Sequence, residues 1–166
     1  MLATKVIDET VSELRKLKEQ ADKAVAQISA EQWFATLDAE ANSIALIMKH
    51  VAGNMRSRWT DFLTSDGEKP NRNRDSEFES ESTDTRESVQ AAWEHAWNLT
   101  LATISALAPD DLEKTVKVRS QDLTVLQAIN RQLTHYAGHV GQIVLLAKHY
   151  AGDRWQTLTV PKRKSR

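Results

Sequence analysis

Two histidines, His135 and His139, stand four residues apart in Leu133-Thr-His-Tyr-Ala-Gly-His-Val-Gly-Gln-Ile143, a stretch whose apolar residues recur at helical spacing. Residues at i and i+4 share a helix face, with Cβ atoms about 5–6 Å apart. That is close enough for both imidazoles to ligate one divalent ion at about 2.0–2.1 Å. A third histidine, His50, lies in another helical segment far upstream. Three neutral imidazoles leave a tetrahedral ion one open position, the layout of catalytic rather than structural zinc. Such an ion lowers the pKa of bound water to about 7 or deprotonates a bound thiol. The competing reading of each histidine, taken alone, is a hydrogen-bonded structural residue at the edge of a core. Ligation by three imidazoles with ordinary pKa values near 6.5 predicts that metal is lost steeply below about pH 6.

The neighbours of these histidines add chemistry. On a helical wheel, Asn54 and Asp61 follow His50 on nearly the same line, with Arg58 slightly nearer the apolar side. Asn54 and Asp61 are therefore candidates to orient a ligand or a substrate, and Asp61 is the one candidate general acid or base on that line. Arg56 and Arg58 can hold the carboxylate of a cosubstrate, or simply be solvated. Gln132 and Gln142 share the side of His135 and His139, whereas His95 and His149 fall away from it and face solvent. Gly138 and Gly141 each cost roughly 1 kcal/mol against alanine in a helix interior, and would let another helix or a substrate approach closely. The chain has no cysteine, so a sulfur nucleophile would have to arrive as a cosubstrate.

Four long amphipathic helices position these residues, over about 2–27, 42–62, 84–107 and 124–150. The first is followed by Ser29-Ala-Glu-Gln32, a capping-box signature that opens a short turn carrying Trp33 and Phe34 as a lid over one end of the core. Asp84-Thr-Arg-Glu87 and Thr124 with Gln127 offer the same signature before the third and fourth helices. Pro109-Asp-Asp-Leu112 makes a second short turn after the third. Trp93 and Trp97 belong to the core. Thr115–Arg119 alternates like a brief extended segment but has no obvious strand partner. Between residues 64 and 82 the periodicity fails: Asp66-Gly67 and Pro70-Asn71 are turn signals, and Phe78 is the one large apolar side chain. The segment reads either as a solvated loop with local ion pairs or as one that closes over a site. The tail, 153–166, docks through Trp155 and Leu158. The expected fold is all-α, a single four-helix-bundle domain over residues 1–166, whose long loop permits a crossover connection.

Composition sets outer limits. With 166 residues, 40% hydrophobic and 27% charged, the chain is large enough to fold without a structural metal. A net charge of −1 gives no overall attraction to nucleic acid, and the basic end, Lys162-Arg-Lys-Ser-Arg166, reads as solvated. No run reaches the roughly 20 apolar residues of a membrane span. The first 20 residues lack the apolar core of a signal peptide, so the expected setting is cytoplasmic.

Asn42-Ser-Ile-Ala…Lys-His50, then Gly-Asn-Met-Arg-Ser-Arg-Trp-Thr-Asp61, and later His135-Tyr-Ala-Gly-His139-Val-Gly-Gln-Ile143 resemble the DinB/YfiT-like superfamily. Trp155-Gln-Thr-Leu-Thr-Val-Pro161 fits too, so the resemblance spans nearly the whole chain, and is strongest to a bacterial branch of unknown function. It implies a four-helix bundle with a crossover and a metal held by His50, His135 and His139, zinc or nickel in the first place, and often a homodimer. Several relatives use the ion to activate a low-molecular-weight thiol such as bacillithiol or mycothiol. The resemblance thus points to a metal-dependent thiol S-transferase or a hydrolase acting on a small molecule. Arg58 would then bind the cosubstrate, and Asp61 and Asn54 would assist. The alternative is a metal-binding or stress-associated module without turnover.

Overall fold

Helix-forming periodicity becomes five helices in the computed structural model, which describes residues 2–160: α1 (Leu2–Val25), α2 (Ala30–Phe34), α3 (Ile44–Trp59), α4 (Arg86–Ser105) and α5 (Val125–Ala151). Short 3-10 turns stand at Asp75–Phe78, Pro109–Glu113 and Gly152–Arg154, and two strands, β1 (Thr115–Val118) and β2 (Gln121–Thr124), complete the chain. The molecule is therefore largely α-helical. Its four long helices pack in a ring of neighbours: α1 against α4 and α5, and α3 against the same two. Consecutive long helices α1 and α3 are not among the closely packed pairs, nor are α4 and α5.

Capping chemistry sets the helix starts. The Gln32 carboxamide accepts from the Ser29 N–H at 2.9 Å and donates to the Tyr150 carbonyl at 3.0 Å, which ties the α2 turn to the end of α5. Thr124 and Gln127 make the expected reciprocal pair at 2.8 and 3.1 Å. At α4 the box is displaced by one residue. Thr85 is the cap and Ser88 its partner, while Asp84 accepts from Lys49 and from the Glu81 N–H. The α3 helix is shorter than its periodicity implied: Ser43 caps it, and it stops at Trp59, where Thr60 turns extended. Phe62 is buried all the same, edge-on to Trp59 at 4.7 Å.

The core runs the length of the ring and is dominated by rings. Trp33, Trp59, Trp93, Trp97 and Tyr136 are each under 2% exposed. Trp33 lies where the lid was expected, its indole N–H 3.4 Å from the Val25 carbonyl. Trp155 and Leu158 pack on the core as expected of the tail, and Gln27 bridges to both backbone groups of Gln156. Residues 161–166, including the basic end, lie outside the described residues. The extended segment does have a partner. β1 and β2 pair antiparallel, Val116 opposite Leu123, joined by Arg119 and Ser120 at φ 53 and 61, the left-handed pair of a type I′ turn. Arg119-Ser120 carries no signal of this turn, since type I′ favours Asn-Gly and related pairs.

One buried polar chain fixes how the two histidine-bearing helices sit. The Trp59 indole N–H donates to the Tyr136 hydroxyl at 3.0 Å, and that hydroxyl donates to Asn54 Oδ1 at 3.2 Å. Deleting the hydroxyl leaves a buried donor and a buried acceptor without partners, at a cost of about 1–3 kcal/mol. Tyr136→Phe is therefore expected to lower the unfolding free energy in urea by about that amount, with an unchanged slope. An unaltered midpoint would show that the hydroxyl does not join α3 to α5.

Candidate metal centre

His50 on α3 meets His135 and His139 on α5. One nitrogen of each histidine lies within 4.8 Å of the other two. The His135 Nε2 is 3.4 Å from the His50 Nε2 and 3.1 Å from the His139 Nε2. Nitrogens around a tetrahedral ion with bonds of about 2.0–2.1 Å lie about 3.3–3.4 Å apart, so the spacing suits a single ion.

Hydrogen bonding on the outer nitrogens decides what points inward. Glu77 Oε2 accepts from the His50 Nδ1–H at 2.9 Å, and Gln142 Oε1 accepts from the His139 Nδ1–H at 2.8 Å. Both imidazoles are then the tautomer with a bare Nε2 facing the centre. His135 can donate one proton toward one of them only, and its own Nδ1 is buried with no partner among the described residues. Nitrogens 3.1 and 3.4 Å from the His135 Nε2, all within 4.8 Å of one another, suit a cation, and the three histidines can hold one.

Glu77 was not foreseen. It lies 27 residues from His50 in the aperiodic segment, inside the 3-10 turn 75–78, and is 6% exposed. Arg72 grips it with a two-pronged fork, Nε to Oε1 and Nη2 to Oε2, both at 2.8 Å. Phe78 stacks on the His50 ring at 4.5 Å, with the Arg74 guanidinium 5.3 Å from the Phe78 centroid. Of the two sequence readings of residues 64–82, the structure therefore favours a segment that reaches the site. Asp66 anchors it, accepting from the Arg119 and Ser120 N–H groups of the hairpin turn at 2.9 and 2.7 Å.

The other expected residues divide. Asn54, Arg58 and Gln132 share with His50 and His135 a cavity of about 210 Å³. Asp61 is not brought to it. Because α3 ends at Trp59, Asp61 leaves the helical line, takes φ 48, is exposed and lines a separate cavity with Arg56 and Lys69. Gln142 reaches the site through His139. Gly138 and Gly141 face open space: a Cβ on either would meet nothing within 4 Å among the described residues. His95 and His149 are exposed, as expected.

The glycine that matters is Gly53, whose added Cβ would lie 2.1 Å from Glu77 Oε1 and 2.7 Å from its Cδ. Glycine-to-alanine in a helix interior ordinarily stabilises by about 1 kcal/mol. Here Gly53→Ala is expected to lower the melting temperature and to weaken zinc binding about tenfold or more by pushing Glu77 off His50. Calorimetric titration of zinc into both proteins is the check, and tighter binding in the variant would contradict the arrangement.

Burial first, then the neighbouring His139 and His50, push the His135 pKa down to about 4, and burial also lowers His139. Proton competition for His135 therefore begins lower than the ordinary imidazole range that predicted loss near pH 6. For the metal-free protein the sign is fixed. The unfolded chain takes up protons near 6.5 that the folded one refuses, so stability is full above that pH and declines as pH falls toward 4. Melting temperatures of metal-free protein are expected to fall between pH 7 and 5, with a shallower slope in His135→Ala; equal slopes would contradict this.

Among the described residues no helix is long and apolar enough to cross a membrane. No curated protein matches the chain. Residues 1–164 match a family described as a protein of unknown function, DUF1572. That span includes all three histidines, the Glu77 turn and the hairpin, and the chain belongs to the DUF1572 family.

Proposed function

We propose that this protein is a divalent-metal-dependent enzyme of the DinB/YfiT-like kind, a four-helix bundle with a crossover that activates a small thiol or water. The observation that carries the reading is the convergence of three Nε2 atoms, two of them on imidazoles whose Nδ1–H is already engaged. The ring of long helices, in which α3 and α4 pack together while α1 lies away from α3 and α4 away from α5, supports the crossover. When bound, the ion supplies a Lewis acid that makes a thiol or water acidic at neutral pH.

The chain's own residues do the rest. Glu77, clamped by Arg72, orients His50 and favours its Nε2 as the donor atom. Gln142 does the same for His139. Phe78 covers one face of the His50 ring and limits water there. Asn54 and Arg58 line the adjoining cavity and are the groups placed to orient a substrate. Asp61 keeps a role only if a substrate spans both cavities. Lacking cysteine, the chain would take its sulfur from the cosubstrate. The open face of α5 at Gly138 and Gly141, beside the exposed Leu145, supports a homodimer.

Metal content and turnover test this. Protein purified without a histidine tag is expected to carry or take up one zinc or nickel per chain. His50→Ala and His135→Ala should each abolish stoichiometric binding while circular dichroism stays helical, because a core of this size does not need the ion. His95→Ala and His149→Ala should bind normally. Metal-loaded protein should then accelerate reaction between a thiol and an electrophile, or hydrolysis, over the metal-free form. Full metal content in both site variants would end the three-histidine reading. A metal-loaded protein inert across the panel would leave a binding module without turnover.

A further inference from the structure

The cavity beside the three histidines is lined by Arg58, Arg72, Arg74, Arg119 and Arg131, and no carboxylate is among its lining residues. These arginines come from four places in the chain: α3, the 64–82 segment, the hairpin turn and α5. Three carboxylates lie behind them, one of which, Asp66, holds the Arg119 N–H and feels the charge of Arg58. Glu77 is taken up by Arg72 and His50, and Glu68 is shared by Arg72 at 3.2 Å, Arg119 at 3.4 Å and Arg58 at 3.8 Å. Five guanidiniums against three carboxylates leave an excess of two positive charges around about 210 Å³.

Arg58 is the informative member. It is 3% exposed, yet its Nε and Nη1 have no hydrogen-bond partner among the described residues, and its closest carboxylate is 3.8 Å away. A buried cation with unmet donors is costly unless something anionic completes it. Arg131 on α5 forms no ion pair among the described residues, and Arg74 has only the Phe78 ring.

We propose that this cavity is the oxyanion subsite of the substrate or cosubstrate, taking a carboxylate or phosphate group while the rest of that molecule reaches the histidines. The proposal rests on the three-histidine centre being the reacting site, and it narrows the substrate class to small anions. Guanidiniums match both oxyanions through paired N–H donors. The volume lies below the roughly 300–1,000 Å³ of drug-sized pockets, which suits one compact charged group.

The test is calorimetric titration of inorganic phosphate and, separately, of succinate into the full-length protein, metal-free and zinc-loaded, with glycerol as the uncharged control. At least one anion is expected to bind the metal-free protein saturably, one per chain, and glycerol not at all. Arg131→Gln, a change at an exposed side chain, should weaken that binding about fivefold, and Arg58→Met about tenfold or more. Arg58→Met is also expected to melt at or above the parent temperature without anion, since it removes an uncompensated buried charge. Arg15→Gln on α1 should change nothing. Whichever anion binds tighter identifies the oxyanion as phosphate or carboxylate. Anion binding that survives in His135→Ala while zinc binding is lost separates this subsite from the metal centre. Zinc binding with no saturable anion binding to the metal-free protein, or equal affinity in Arg131→Gln and Arg58→Met, would overturn the proposal.

Discussion

Everything at the histidine cluster depends on one buried carboxylate. Glu77 lies between the Arg72 guanidinium and the His50 imidazole, with both oxygens used. Burial alone would raise its pKa, but the hydrogen bonds from His50 and Arg72 outweigh that and keep it below the usual carboxylate range. It is therefore an anion across the neutral range, and an anion at Nδ1 leaves His50 one way to face the centre. Removing Arg72 would leave a buried charge half-compensated; removing Gly53's bare Cα would leave it nowhere to sit. Three features from two segments of the chain, α3 and the 64–82 segment, thus serve the orientation of one ring.

The Trp59–Tyr136–Asn54 chain plays the matching part on the other axis. Helices held only by apolar contact can slide, because one aliphatic surface fits another in several ways. Two directed hydrogen bonds across α3 and α5 admit one register, and that register sets where His50 stands relative to His135 and His139. The order of this centre therefore comes from polar groups inside an aromatic core.

What the sequence revealed follows from what periodicity encodes. The long helices, the aromatic core at Trp93 and Trp97, the three histidines and Gln142 were all legible, because each sits on a regular helix where spacing fixes direction. Asp61 was misplaced for the same reason: its alignment with His50 assumed a helix three residues longer than the one that forms. Glu77, Arg72 and Arg74 were beyond reach, since a segment without a period carries no signal about which polar side chains turn inward; only Phe78 stood out there, by its size. The β1–β2 turn was hidden by its residues, Arg119-Ser120, which adopt left-handed backbone without being the usual types to do so.

The grip of Asp66 on the hairpin has a consequence for how such chains diverge. Its carboxylate holds the main-chain N–H groups of residues 119 and 120, not their side chains. The turn therefore does not rest on the side chains at these two positions, and that of Arg119 is left to meet Glu68 and the cavity, within what a left-handed backbone tolerates. A tip held by its backbone and open at its side chains is a place where descendants of one ancestor can exchange charge for shape, retuning what enters the cavity while the helices and the histidines stay as they are.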